Sequence, residues 1–175
     1  LRAAPNSRLQ HACIGVGGMG AHDLENYRQH PKLDVVALCD VDENALKAAA
    51  AKVPEARLYR DWRELLEKES ARIDSVNVTV PDHMHFPIAV SAIERGKHVY
   101  VQKPMCHDVA EVRDLTAAAV RKNVITQLGT QLAAGSGDRT TVQWLREGRI
   151  GRVTHLYLSA NRPGAVESYR LKGPR

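Results

Sequence analysis

The chain lacks any apolar run near the roughly 20 residues that a membrane-spanning helix requires, so no helical membrane anchor is expected. Cysteine is scarce. Cys13, Cys39 and Cys106 are widely spaced, odd in number and free of any C-x-x-C or Cys/His cluster. That argues against both a zinc site and a disulfide framework. Cys13 and Cys39 sit in apolar runs, where a free thiol acts as a small hydrophobe. Glycine, proline and aliphatic content together exclude a disordered, collagen-like or coiled-coil chain. With 43% hydrophobic and 26% charged residues, the 175-residue chain has room for one globular domain and little more.

An excess of acidic charge is also missing, since the formal net charge is +5. The excess is local. Residues 1–138 hold 17 basic and 18 acidic side chains, whereas residues 139–175 hold 8 basic and 2 acidic ones. The basicity belongs to a C-terminal segment that reads as solvated or partner-facing, and no nucleic-acid partner is expected. The chain opens at Leu1 rather than Met and closes on Gly173-Pro174-Arg175, so both ends read as cut.

The dominant rhythm is a short apolar run, a Gly or polar turn, then an amphipathic helical stretch. Strands are expected at 9–16, 33–39, 57–59, 74–80, 97–101 and 124–128, with helices at 21–30, 43–52, 62–68, 85–95 and 109–122. Gly96 stands where a helix C-terminus calls for glycine. Beyond residue 128 a helix at 138–147 and a strand at 153–160 are expected. Strands alternating with helices imply βαβ units, because parallel pairing needs a long crossover. The expected fold is therefore α/β, a doubly wound parallel sheet of the Rossmann type. Ligands of such sheets bind outside the carboxyl ends of the strands.

The first strand runs into Gly15-Val16-Gly17-Gly18-Met19-Gly20, which fits G-x-G-x-x-G. The first glycine permits the tight turn, the second lets backbone approach a pyrophosphate, and the third allows close helix–strand packing. The helix N-terminus then offers its free N–H groups to phosphate. Asp40 ends the second strand, 20 residues after Gly20. A carboxylate there accepts ribose hydroxyls and repels a 2′-phosphate, and no Arg follows within five residues, so NAD is favoured over NADP. Asp42 suits the next helix as an N-cap.

Pro81 ends the fourth strand. His85 lies near the sheet's carboxyl edge and is expected to touch the cofactor, with His83 solvated. Their i, i+2 spacing does not place two rings on one helix face, so no metal pair is expected. The fifth strand leads to Gln102-Lys103-Pro104. A lysine beside a cationic nicotinamide gives up its proton more readily, because like charges repel. Lys103 could then exchange a proton with a substrate hydroxyl during hydride transfer.

Residues 74–105, DSVNVTVPDHMHFPIAVSAIERGKHVYVQKPM, join the glycine turn, Asp40 and Lys103-Pro104 in an order that resembles the Gfo/Idh/MocA family. These are the oxidoreductases of the glucose–fructose oxidoreductase and inositol dehydrogenase type. The resemblance implies a dinucleotide-binding Rossmann domain, here residues 1–130. It also implies a larger α/β substrate and dimerisation domain, of which residues 131–175 hold only the beginning. By matching position Lys103 is the lysine of the family's Glu-Lys-Pro motif and the expected catalytic residue. Gly15, Gly17, Gly18, Met19, Gly20, Asp40, Pro81, His85, Gln102 and Lys103 are expected around the cofactor.

Gln102 departs from the motif's glutamate, so no negative charge stands at that position to hold the proton on Lys103. The family's remaining Asp and His come from the second domain and lie beyond this chain. The resemblance implies NAD-dependent hydride transfer at a hydroxyl of a sugar, cyclitol or glycoside, in a homo-oligomer. One alternative is an enzyme that regenerates NAD in each turnover, with net hydrolysis, elimination or epimerisation through a keto-sugar. Another is a non-catalytic dinucleotide-binding module. The location expected is cytoplasmic, or exported after removal of a twin-arginine leader whose tail would be Leu1–Pro5.

Overall fold

A computed structural model of the chain describes residues 8–157. They fall into two compact units that divide between Thr130 and Gln131. The first unit runs β1 (Leu9–Ile14), α1 (Met19–Gln29), β2 (Leu33–Cys39), α2 (Glu43–Ala50), β3 (Arg57–Tyr59) and α3 (Trp62–Glu69). It continues with β4 (Ser75–Val78), a 3-10 turn (Asp82–Met84), α4 (His85–Glu94), β5 (His98–Gln102), α5 (Val109–Lys122) and β6 (Thr126–Gly129). All six strands are parallel, in the order β3-β2-β1-β4-β5-β6. The chain reverses direction across the sheet between β1 and β4, which is the switch point where such sheets open a crevice.

Helix ends follow local chemistry. Asp42, Asp61 and Asp108 cap α2, α3 and α5 by accepting from the N–H groups of Asn44, Arg63 and Glu111. Asn123 closes α5 in the left-handed region at φ 51°. Two apolar cores cover the two faces of the sheet. Leu65, Leu66, Ile88, Ile93 and Leu115, from α3, α4 and α5, pack on Ile14, Val76, Val78, Val99 and Val101. On the other face Leu24 of α1 and Leu46 of α2 pack on Cys13, Val35 and Leu38. Burying one such leucine contributes about 1.5–3 kcal/mol.

One irregularity was invisible in the pattern. His11 pairs with Val35 but Ala12 pairs with Ala37, so Val36 is an extra residue in β2. The bulge flips the alternation of β2: Val35 faces α1 and α2 before it, and Leu38 faces them after it. Strand ends also move, since β1 stops at Ile14 where the expected strand ran on to residue 16. Gly15 turns the chain there at φ 83°.

The second unit contains a 3-10 turn (Gln131–Ala134) and α6 (Ser136–Arg146). The strand expected at 153–160 is not found over 153–157, and 158–160 lie outside the described residues. A strand needs a neighbour for its N–H and C=O groups, and no described residue pairs with this segment. Leu156 and Tyr157 are 86% and 91% exposed. No helix among the described residues is long and apolar enough to cross a membrane.

Beneath α1 the sheet turns polar toward β4 and β5. His11 is 3% exposed, with Nδ1 at 2.8 Å from Ser75 Oγ and Nε2 at 3.2 Å from Asn77 Oδ1. Burial lowers its pKa to about 4, so the ring is neutral at physiological pH. Between its ordinary value of 6.5 and about 4 the unfolded chain binds a proton that the folded chain refuses, so stability falls as pH falls through that window. The full effect is on the order of 3 kcal/mol below the window. The thermal midpoint should therefore decline from pH 7 to pH 5, before the arginine-held Glu69 is protonated. His11→Gln should flatten the decline, and an equal slope in both proteins would reject this assignment.

Candidate functional site

The site begins where β1 ends. The Gly15 N–H donates to Cys39 O at 2.8 Å, and a Cβ on Gly15 would stand 2.0 Å from Thr79 O. A Cβ on Gly20 would stand 2.1 Å from Gly15 O, so α1 rests directly on the turn. Only hydrogen fits at either place. Gly18 caps α1 without a side-chain bond, and the first turn carries no acidic residue. Around Gly18 a Cβ would meet nothing within 4 Å, which leaves open space before the helix end. An uncapped N-terminus with its partial positive charge suits an anionic phosphate.

Asp40 secures this loop. Its Oδ2 accepts from the N–H groups of Val16 at 2.8 Å and Gly17 at 3.1 Å, and its Oδ1 accepts from the Asp42 N–H at 3.0 Å. A carboxylate has about four acceptor positions. Backbone takes three here, so Oδ1 retains a single one. Asp40 thus organises the loop as well as facing the ligand space. Asp42 is the N-cap of α2, as its position suggested.

A cleft of about 440 Å³ opens at the switch point. Ile14, Gly15 and Gly17 line it from the β1 loop, Asp40 and Val41 from the end of β2, and Thr79, Val80 and Pro81 from the end of β4. Gly17 and Gly18 also line an adjoining hollow of about 350 Å³ between α1 and α2. A separate hollow of about 410 Å³ beside α5 and β6 has no charged lining residue and no part of the glycine loop. It is not this site.

The remaining expected residues stand differently. Met19 begins α1 and is half exposed, while Gly20 is buried inside the turn. His85 does not line the cleft; His83 does. The His85 ring is 1% exposed, with Nδ1 at 2.5 Å from Pro104 O and Nε2 at 2.9 Å from Val80 O. The 3-10 turn at Asp82–Met84 rotates α4 so that His85 points inward, where it ties the β4 loop to the β5 loop. Lys103 follows β5, exposed, and joins Pro104 through a cis peptide bond. Gln102 is 5% exposed and turned beneath α1, where its Nε2 donates to Asp23 Oδ2 at 3.1 Å. Its Oε1 accepts the Lys103 N–H at 3.2 Å.

Sequence reading missed Arg60 and Trp62, which line the cleft from the end of β3 and the start of α3. Arg60 pairs with Glu43 at 2.7 Å, both side chains more than half exposed. Its signal lay in topology: β3 neighbours β2, so the residue after β3 arrives beside Asp40. Asp23 was missed as well. It lies three residues beyond Gly20, on the helix face that the close-packed glycine turns toward the sheet.

A glycine turn against a parallel sheet, an uncapped helix end and an acidic residue closing β2 define a dinucleotide-binding Rossmann domain. The model of the oxidoreductase family with the NAD-binding Rossmann fold matches residues 9–130, and the chain belongs to that family, Gfo/Idh/MocA. A glycosyl hydrolase family 109 protein of Solibacter usitatus is 29% identical over 164 residues, covering 86% of this chain and 36% of the relative. D-apiose dehydrogenase of Paraburkholderia graminis is 29% identical over 144 residues, covering 82% and 38%. A solved structure of scyllo-inositol dehydrogenase from Lactobacillus casei with bound NAD(H) and scyllo-inositol matches with a TM-score of 0.77. That match covers 84% of this chain and 43% of the other, and at 23% identity it is a likeness of fold. The chain spans a little over a third of the length of these curated relatives.

The contact between Gly20 and the Gly15 carbonyl makes a direct test. Gly20→Ala should lower the thermal midpoint and weaken NAD binding at least tenfold in titration calorimetry. Unchanged affinity would mean that the turn is not the nucleotide cradle.

Proposed function

We propose that this chain is the NAD-binding part of an oxidoreductase that acts on a hydroxyl of a sugar, cyclitol or glycoside. The observation that carries the reading is the cleft at the switch point, where the glycine turn, Asp40 and the loop after β4 meet. The open space beside Gly18 would take the pyrophosphate, before the positive end of α1. Gly15 and Gly20 keep the turn tight enough for that approach. The free position on Asp40 Oδ1 would take a ribose hydroxyl, and Pro81 would wall the cleft on the β4 side.

When bound, the nicotinamide supplies the hydride acceptor or donor. The chain's own part is proton handling and placement. Lys103 Nζ, at the carboxyl edge of β5, would take the hydroxyl proton as the substrate is oxidised and return it in the reverse direction. His85 holds Pro104 to the β4 loop, and Gln102 holds the Lys103 backbone. Lys103→Ala should leave NAD affinity within about threefold and cut hydride transfer to a sugar substrate by 100-fold or more in the longer enzyme. A rate near wild type would remove Lys103 from the chemistry.

Arg60 sharpens the choice of cofactor. Asp40 disfavours a 2′-phosphate, yet Arg60 stands in the same cleft, held aside by Glu43. Such an exposed pair is worth only about 0–1 kcal/mol, so the guanidinium is available to a phosphate. NAD should bind more tightly than NADP, and Arg60→Ala should widen that gap by weakening NADP alone. Equal affinities in the wild-type protein would sink the NAD assignment.

A second reading draws on the glycosyl hydrolase family 109 name, carried by the Solibacter usitatus relative and by Shewanella relatives as well. In it the hydride is returned within each turnover and the net reaction is hydrolysis through a keto-sugar. Accumulation of NADH with a single sugar substrate marks the dehydrogenase. Glycoside cleavage with no net NADH marks the second reading, and NAD binding with neither leaves a non-catalytic module.

A further inference from the structure

A chain of buried polar groups runs under α1 from β1 to β5, and its polarity can be derived atom by atom. Asn77 Nδ2 donates to Thr79 Oγ1 at 3.0 Å, which turns Asn77 Oδ1 toward His11 Nε2. An amide oxygen needs a donor there, so the neutral His11 carries its hydrogen on Nε2, and Nδ1 accepts from the Ser75 hydroxyl. Thr79 Oγ1 spends its own hydrogen on Asp23 Oδ2 at 2.9 Å. From the other side Gln102 Nε2 donates to the same Asp23 Oδ2, and its Oε1 accepts from the Lys103 N–H.

Every donor in the chain thus points toward one carboxylate oxygen. Asp23 is 4% exposed, and Cys13 from β1, Tyr27 from α1 and Tyr100 from β5 feel its charge, which helps hold all three protonated. The Gln102 amide has little freedom to turn. A Cβ on Gly129 of β6 would lie 2.8 Å from Gln102 Oε1 and 2.9 Å from the Tyr100 hydroxyl, so the neighbouring strand closes over that end of the side chain.

We propose that Asp23 is a positioning residue for Lys103, acting through the Gln102 carboxamide, and that Asp23 and Gln102 form a pair that admits one carboxylate only. The chemical reason is the count of hydrogens. Gln102 must offer a donor to Asp23 and an acceptor to Lys103 at once, which a carboxamide does and an ionised carboxylate does not. With glutamate at 102 two carboxylates would meet at hydrogen-bond distance, and the pair would either hold a proton between them or separate. The converse exchange restores a donor at this contact. Asparagine at 23 donates to glutamate at 102, whose oxygen still accepts the Lys103 N–H, and the Thr79 hydroxyl, which gave its hydrogen to Asp23, accepts from the asparagine instead on its second lone pair.

The consequence for Lys103 as a catalytic group rests on the function proposed above, but the contact itself can be read without NAD or substrate. The measurement is amide hydrogen exchange by NMR at pH 8, taken as the rate at Lys103 relative to Val101 in the strand that precedes it. General loosening of β5 moves both amides, whereas loss of the Gln102 contact moves Lys103 alone. Gln102→Glu is expected to raise the ratio at least tenfold, and the excess should shrink as pH falls toward 5 and the pair regains a proton. The double exchange Asp23→Asn with Gln102→Glu should bring the ratio back within about threefold of wild type. Should Gln102→Glu fail to fold, Asp23→Ala, which leaves the Gln102 amide unanchored, is expected to raise the ratio by the same order. The proposal is overturned if the ratio in the folded single variants stays at its wild-type value. It is equally overturned if the double variant is no better than Gln102→Glu. NAD titration of the same proteins tests the functional reading separately, since an NAD-blind wild-type chain with the expected exchange pattern would sink only that reading.

Discussion

The contact on which the site depends is the one between the Gly15 turn and the end of β4. A side chain at Gly15 would drive into the Thr79 carbonyl, so hydrogen there is what lets the β1 loop lie flat against its neighbour strand. The flat loop brings Gly17 within reach of Asp40 and seats α1 on the turn through Gly20. Thr79 works in two directions. Its carbonyl packs on the glycine turn, and its hydroxyl donates to Asp23 on the helix that the turn launches. One residue therefore couples the backbone geometry of the loop to the polar chain beneath α1.

That coupling explains why the two faces of one sheet are built differently. The face under α3, α4 and α5 is filled by aliphatic side chains from β1, β4 and β5. The opposite face is aliphatic only over β1 and β2, and under α1 it carries His11, Ser75, Asn77, Thr79 and Gln102. A buried polar group costs roughly 1–3 kcal/mol when left unpaired. Among the described residues no buried side-chain nitrogen or oxygen is without a partner, so the strip incurs little of that penalty. What it contributes is a fixed direction of hydrogen bonding that converges on Asp23, one branch of it starting at the Lys103 N–H.

Much of this architecture was legible in the residues. Alternating short apolar runs and amphipathic stretches were enough to locate six strands and the helices between them within a few residues. The glycine spacing and Asp40 stood in the context that gives them meaning. What escaped was whatever depends on phase or on contacts between distant segments. The bulge at Val36 is a matter of pairing register, and β2 beyond Asp34 reads as an unbroken apolar run. His85 turned inward, and His83 rather than His85 came to line the cleft, because a 3-10 turn advances about 120° per residue and an α-helix about 100°. Arg60 is not visible from the residues that follow Asp40, because strand order delivers it to the cleft from the end of β3.

Gln102 shows how a single substitution misleads when read without its neighbours. By itself the residue suggests a lysine edge stripped of negative charge. In the folded chain a carboxylate is still present one hydrogen bond behind it, on α1 rather than on β5. The charge has moved away from the strand edge, and the amide between now separates it from Lys103 while passing on its directional demand. The carboxylate's effect on hydrogen-bond direction is not screened, since each donor and acceptor in the chain is fixed by the next. Asp23 therefore bears on where the Lys103 backbone sits, through the Gln102 amide that stands between them.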